Sequence, residues 1–322
     1  MLHEKSAYYQ ERGIVMASNK VVIKLKGHGS FHIREGWLRK GMRNVYQDPF
    51  IFGQDDVVDK LAVGSNMVLS IRYWLQAVGL TNEVIVKGGK RKQELTEGFG
   101  KVIYEKDPYF DDIFTLWLIH YKLVTNKEMA TSWYLFFNKF RGTEFTKDEM
   151  YESIKNYLEF MNNGEKYSQK SLKDDCACIL KTYFEEDKES FTPEDKMICP
   201  LSELEIIDKV LIGEKEYYVK KKPSMEKVDK LLVFYIIVDN LKDKKSLSIN
   251  EILNDELNAG VILNLNRAIL NEYLDSLKNE GYLNINRTSG LDKVYLNDKY
   301  LRLFEEDIEK LKENILNEYY HQ

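Results

Sequence analysis

Proline is scarce in this chain, at 5 of 322 residues, and no Pro-, Ser- or Gly-rich tract occurs. Collagen-like, mucin-like and disordered readings are therefore set aside, and long uninterrupted helices are favoured. Long apolar runs are also missing. The stretches from Ile113 to Ile119 and from Phe234 to Val238 fall far short of the roughly 18 to 20 residues that cross a bilayer. The opening Met-Leu-His-Glu-Lys-Ser has no apolar segment of the kind a signal peptide uses, so a cytoplasmic protein without membrane contact is expected. Only three cysteines are present, Cys176, Cys178 and Cys199. They cannot all pair and make no Cys-x-x-Cys, which fits a reducing compartment. Nucleotide chemistry of the common kinds is excluded as well, because neither Gly-x-x-x-x-Gly-Lys-Ser/Thr nor a strand-borne Gly-x-Gly-x-x-Gly occurs.

Charge is plentiful but unevenly spread. The overall formal charge is -5, which on its face argues against a nucleic-acid partner. Residues 1–110, however, hold 17 Lys and Arg against 12 Asp and Glu, and the remainder holds 30 against 40. A basic first third on an acidic body points to a local anionic partner, the alternative being uneven surface charge without meaning.

The pattern predicts a mainly α protein with small β wings: two winged-helix modules flanking a central helical domain. Residues 1–24 form a lead-in, although Val21 to Leu25 reads as a short strand. Residues 25–110 read as a winged helix-turn-helix. Trp37, Leu38, Met42 and Val45 recur at helical spacing until Asp48-Pro49, Asp55 can cap a short second helix, and Gly64 turns into a third. There Met67, Val68, Ile71, Trp74, Leu75 and Val78 share a face, and Gly79 ends the helix. Asn82 to Lys87, the glycine and lysine tip Gly88 to Lys92, and then Leu95 to Gly98 and Lys101 to Glu105 read as a wing of two short strands. Subtracting the core face leaves Ser65, Asn66, Leu69, Ser70, Arg72 and Tyr73 exposed or marginal on the third helix, with Lys90, Arg91 and Lys92 at the wing tip. A helix fits the major groove, and a basic hairpin reaches the neighbouring backbone, so Ser65, Asn66, Ser70, Arg72, Tyr73, Lys90, Arg91 and Lys92 are the candidate contacts to double-stranded DNA.

Residues 111–224 read as a central helical domain with an acidic connector. Thr146-Lys-Asp-Glu149 is a capping box opening a helix to Met161, Ser171 to Phe184 is a further helix, and a hairpin turns at Gly213. Residues 225–322 repeat the opening grammar, with helices Val228–Val238, Ser248–Asn254 and Leu265–Asn279, a hairpin around Ser289-Gly290, and a last helix from Leu301 to Tyr319. The third helix of this copy offers only Arg267 and Lys278 among acids, so a protein interface is the preferred reading there.

Few residues carry chemistry by themselves. His28 and His32, with Glu35, have a spacing that would ligate a metal on a helix, but the surrounding glycines favour a loop. Asp174-Asp175, Glu185-Glu-Asp187 and Asp55-Asp56 could each contribute to a Mg2+ or Mn2+ site, and each is also what a solvated helix end looks like. Asp208 with Glu214-Lys-Glu216 lacks the lysine of the nuclease pattern. No catalytic or metal-binding residue is assigned.

Several motifs together do point to a family. Gly27-His28, Phe31, Arg34-Glu-Gly-Trp37-Leu38 and Lys40-Gly41 are followed by Val63-Gly64-x-Asn66-Met-Val68-x-Ser70-Ile-Arg-Tyr-Trp74, Ala77 and Gly79-Leu80. Leu95-Thr96 with Gly98, Ser171-Leu-Lys-x-Asp175, Lys181-Thr-Tyr183, and Ser289-Gly-Leu291 with Val294 complete the series. In this order they resemble the bacterial family of unknown function DUF4007. Departures are Gly29 and Ser30 in place of an acid and Thr, and Ser65 where Lys is common. Proteins of this family look like the SspB component of bacterial DNA phosphorothioation systems. In those anti-phage defence operons a cysteine desulfurase, an adenylating enzyme and an ATPase act with it to replace a non-bridging phosphate oxygen by sulfur. The resemblance implies DNA binding, metal-dependent strand nicking, and sulfur-transfer and ATPase partners. From other classes, a non-catalytic adaptor and a winged-helix transcription regulator remain open.

Overall fold

Trp37, Leu38, Met42 and Val45 lie on the inner face of helix α1, Trp37–Gln47, where all four are buried. The structure is a computed structural model describing residues 22–163, 165–185, 198–242, 244–288 and 291–321. The short helix α2, Val57–Leu61, begins after Asp56, so Asp55 is not its cap. Helix α3, Ser65–Ala77, follows, and Gly79 at φ 73° turns the chain out of it, a left-handed conformation that glycine adopts without strain. An antiparallel hairpin comes next, β1 Thr81–Ile85 and β2 Arg91–Leu95, in the register Thr81 to Leu95 and Ile85 to Arg91. Helix α4, Phe99–Lys106, closes this segment.

Three expectations about this segment change. The second strand of the wing is Arg91–Leu95, and Lys101 to Glu105 lies in helix α4. Residues 22–25 are irregular, because no strand lies beside them to take up their hydrogen bonds; Val21 is outside the described residues. Arg91 and Lys92 open the second strand and do not sit at the tip, since the hairpin turn closes earlier, with Val86 N–H donating to the Lys90 carbonyl at 2.8 Å.

The central helices are α5 Ile113–Thr125, α6 Thr131–Tyr134 continued by a π turn Leu135–Lys139, α7 Lys147–Met161 and α8 Gln169–Tyr183. The Thr146 and Glu149 capping box is formed in both directions. Strand β3, Glu144–Phe145, pairs with the edge of the expected hairpin β4 Ile207–Ile212 and β5 Lys215–Lys220, giving the order β3-β5-β4.

The C-terminal elements are α9 Lys230–Leu241, β6 Leu247–Ser248, α10 Ile249–Asn254, α11 Ala259–Ile262, α12 Arg267–Asn279, β7 Leu283–Thr288 and β8 Leu291–Leu296. Strand β6 pairs with β8, so the sheet order is β6-β8-β7; the turn residues Ser289 and Gly290 lie outside the described residues. The expected last helix is two, α13 Asp298–Glu306 and α14 Ile308–Tyr320, because Asp307 stays extended and its carboxylate accepts from Lys310 N–H to cap the second.

Among the described residues the chain is mainly helical with three small antiparallel sheets. Its buried apolar side chains form one cluster running from Ile33 to Leu316. Tyr121, Asp239 and Lys312 tie helices α5, α9 and α14 together, the Asp239 carboxylate accepting from Tyr121 Oη and Lys312 Nζ, each at 2.7 Å. No helix among the described residues is long and apolar enough to cross a membrane.

Candidate nucleic-acid interface

Helix α3 presents its first turn to solvent. Its N-cap, Gly64, offers no side-chain acceptor to the first N–H groups, and Ser65 and Asn66 are exposed. Leu69 follows one turn later at 60% exposure. Free N–H groups at a helix start carry the positive end of the helix dipole, a setting suited to phosphate.

Ser70 and Tyr73, expected on the outer face, are buried at 1% and 5% exposure. The amphipathic pattern allows for one covered face, but α3 is covered on two: α1 packs on one side, and residues 24–31 with α6 pack on another. Ser70 Oγ donates to the His28 carbonyl at 2.8 Å, and Tyr73 Oη donates to the Met129 carbonyl at 2.8 Å. Burial, with the Asp175 carboxylate adding to it, pushes the Tyr73 phenol well above its ordinary range. These two side chains fix the helix and do not face a ligand.

Beneath them lies a buried polar knot. His28 Nε2 meets Asp175 Oδ1 at 2.8 Å, Lys26 N–H donates to that oxygen at 2.8 Å, and Ser132 Oγ donates to Oδ2 at 2.6 Å. The His28 ring stacks on Trp74 at 5.7 Å and meets the Trp133 ring edge to face at 5.5 Å. A Cβ on Gly27 would sit 2.3 Å from the Tyr73 ring, so only glycine allows the loop to lie this close. His28 therefore stands in a turn on Asp175, as the glycines suggested, and does not share a helix face with His32. Asp174 is paired with Lys26 at 2.6 Å.

The hairpin carries Lys87, Lys90, Arg91 and Lys92, and two of the four are already engaged, as is Arg72 on α3. Arg72 binds Glu83 through Nε at 2.5 Å and Nη2 at 2.6 Å; Arg91 Nη1 reaches the same carboxylate at 3.0 Å. Burial alone would raise the Glu83 pKa, but hydrogen bonds from the two guanidiniums lower it below the usual carboxylate range. Lys92 pairs with Glu94 at 2.7 Å. Lys87 and Lys90 are exposed at the tip, and neither has an ion pair among the described residues. The surface so assembled comprises Ser65, Asn66, Leu69, Lys87 and Lys90, with Arg72, Arg91 and Lys92 half engaged. Lys87 and Leu69 were not among the candidate contacts, although lysine at a glycine-flanked tip was signal enough for the first.

Other candidates for chemistry do not converge. Among the described residues no group of three His, Cys, Asp or Glu side chains is placed to hold a metal ion. Asp56 pairs with Lys60 and Asp208 with Lys221; Glu186 and Asp187 lie outside the described residues. Cys176, Cys178 and Cys199 are buried free thiols whose pKa values are raised, chiefly by burial.

Residues 25–320 match the family described as "Protein of unknown function (DUF4007)". The chain belongs to that family. No curated protein matches it. Among solved structures, this DUF4007 chain is similar to "Magnesium ion-bound SspB crystal structure", with a TM-score of 0.81, 23% identity, and coverage of 92% of this chain and 88% of that one. It is also similar to "SspB crystal structure", with a TM-score of 0.79 at the same identity and coverage. The DUF4007 chain thus shares the fold of those two structures over most of its length.

Proposed function

We propose that this protein is the DNA-contacting component of a DNA phosphorothioation system, with residues 25–110 acting as a winged helix-turn-helix. The observation that carries the reading is the uncapped, exposed start of α3 beside a hairpin whose tip holds Lys87 and Lys90. The first turn of α3, through Ser65, Asn66 and Leu69, meets base edges in the major groove, and the hairpin neutralises backbone phosphates. The SspB likeness supports the pathway, and the acidic remainder is read as the face for its sulfur-transfer and ATPase proteins.

Replacing Lys90, Arg91 and Lys92 together by Ala tests the reading. Duplex affinity should fall, and its log-log dependence on salt should flatten by about 0.9 for each phosphate no longer neutralised. Unchanged affinity at low salt removes Lys90, Arg91 and Lys92 from the interface. Strand nicking is a separate question, answered by incubating supercoiled plasmid with the purified protein and Mg2+ or Mn2+.

A second reading, an adaptor that docks partner proteins through its C-terminal segment, is favoured by the charges there. Arg267 pairs with Asp292 and Arg287 with Asp275, so both guanidiniums of α12 and its hairpin are engaged by acids. Of the cations left there without an ion pair among the described residues, Lys278 and Lys293, the first stands among Glu272, Asp275 and Glu280 in the sequence. The two readings are compatible, since they use opposite ends of the chain.

A further inference from the structure

A second cationic site lies far from the hairpin in sequence. The chain from the π turn, the end of β5 and the loop after α11 enclose a pocket of about 70 Å³, lined among others by Arg141, Thr143, Lys220, Lys221 and Asn264. Three cations line it and no carboxylate does. Lys221 has an acid of its own, Asp208, at 3.0 Å. Lys220 has none among the described residues. Its ammonium donates to the Phe136 and Phe140 carbonyls, each at 2.9 Å, and lies 4.2 Å from the Phe136 ring centre and 4.8 Å from that of Phe140. An ammonium has three N–H donors, and these contacts use two. A charge enclosed this way without a counter-ion is unfavourable, and burial, with Arg141 nearby, lowers the Lys220 pKa to about 7. The exposed Arg141 also has no ion pair among the described residues.

We propose that this pocket binds a single tetrahedral oxyanion of the phosphate class, held by the third donor of Lys220 and by the Arg141 guanidinium. The volume suits one such group and is too small for a whole nucleotide. Guanidinium and ammonium donors together match its geometry and charge. The site joins two parts of the chain: Asn264, at φ 51°, donates from its side chain to the Lys221 carbonyl at 3.2 Å. An oxyanion there clamps the loop after α11 onto the β4–β5 sheet. Its source is either free inorganic phosphate or a phosphate of a nucleic-acid backbone.

Thermal unfolding of the full chain with inorganic phosphate, at constant ionic strength and against a chloride control, tests the site. A saturable rise in Tm specific to phosphate is expected. Because Arg141 is exposed, Arg141→Ala should fold normally, and it should weaken phosphate binding roughly 10- to 100-fold, the range for removing a hydrogen bond to a charged group. Lys220→Met should abolish the response. A shift that chloride reproduces, or one that Arg141→Ala leaves intact, overturns the proposal. A short duplex then identifies the source. If Arg141→Ala also weakens duplex binding, and phosphate competes with the duplex, the occupant is a backbone phosphate. If duplex affinity is unchanged while the phosphate response is abolished, it is the free anion.

Discussion

Arg72 on α3 and Glu83 on β1 are joined by two hydrogen bonds, at 2.5 and 2.6 Å, and Arg91 on β2 completes a triad at 3.0 Å. One carboxylate, 10% exposed, thus holds two guanidiniums. The pairing orients the hairpin against the helix, and it also cancels part of the positive charge that DNA would meet.

Glu83→Gln should therefore tighten duplex binding at low salt and steepen its salt dependence, because Arg72 and Arg91 become available to phosphate while the amide still accepts from one of them. Fluorescence anisotropy at several salt concentrations measures both effects. The variant should be less stable by about 1 kcal/mol, as expected for a partly exposed ion pair. Weaker binding would mean that orientation of the hairpin matters more than its charge.

Asp175 is the acceptor for Lys26 N–H, His28 and Ser132. Asp175→Ala strands the buried donors of His28 and Ser132 and the partly buried Lys26 N–H at once, at about 1 to 3 kcal/mol for each buried one, a large fraction of the total stability of a typical domain. Ser132→Ala removes the donor to Oδ2 and leaves Oδ1 satisfied by Lys26 N–H and His28, so it should cost less. Urea denaturation of the two variants checks the order. Equal destabilisation would show that Asp175 does not organise the knot.

These relationships differ in how legible they were in the sequence. The α1 and α3 cores, the Thr146–Glu149 box and the β4–β5 and β7–β8 hairpins follow local rules of spacing, capping and turn chemistry, and they stand where those rules put them. The break at Asp307 was hidden because the apolar period runs on either side of it. Strands β3 and β6 are two residues long, too short to show alternation. Ser70 and Tyr73 were misplaced because what covers them comes from residues 24–31 and α6, which no helical wheel contains. The His28 and Asp175 contact spans 147 positions; the two residues stood out separately, His28 for its spacing to His32 and Asp175 beside Asp174, and again in the family motifs, without any indication that they meet.

Asp239 and Lys312 form a partly buried pair, and the Lys312 ammonium also reaches Glu309 at 2.6 Å. Burial works against the Asp239 carboxylate, but Lys122, Lys312 and the Tyr121 hydroxyl hold its pKa below the usual range. Lys312→Met alone removes a hydrogen bond of 2.7 Å and should cost about 1.5 to 3 kcal/mol, the range for a hydrogen bond to a charged group, because Lys122 and Tyr121 still hold the carboxylate. Combining it with Asp239→Asn should cost less than the sum of the two single changes. Additivity in this double-mutant cycle would mean that the pair is not coupled.

His120 sets an expected pH dependence. The ring is fully buried between Tyr183, 2.8 Å from Nδ1, and the edges of Trp117 and Phe137. Burial lowers its pKa to about 3, with the Ile262 carbonyl acting weakly in the other direction. In the unfolded chain the same ring titrates near 6.5. Between these values the unfolded state carries the proton and the folded state does not, so unfolding takes up one proton and stability rises with pH. The stabilisation is fully present above about pH 6.5 and is lost as the pH falls toward about 3. Over that window His120 contributes a slope of about 1.4 kcal/mol per pH unit. His120→Gln keeps a donor and an acceptor but does not titrate. Its unfolding free energy, followed by urea denaturation from neutral to acid pH, should therefore fall less steeply than that of the unmodified chain. Identical slopes would mean that the ring reaches water and takes up its proton before the chain unfolds.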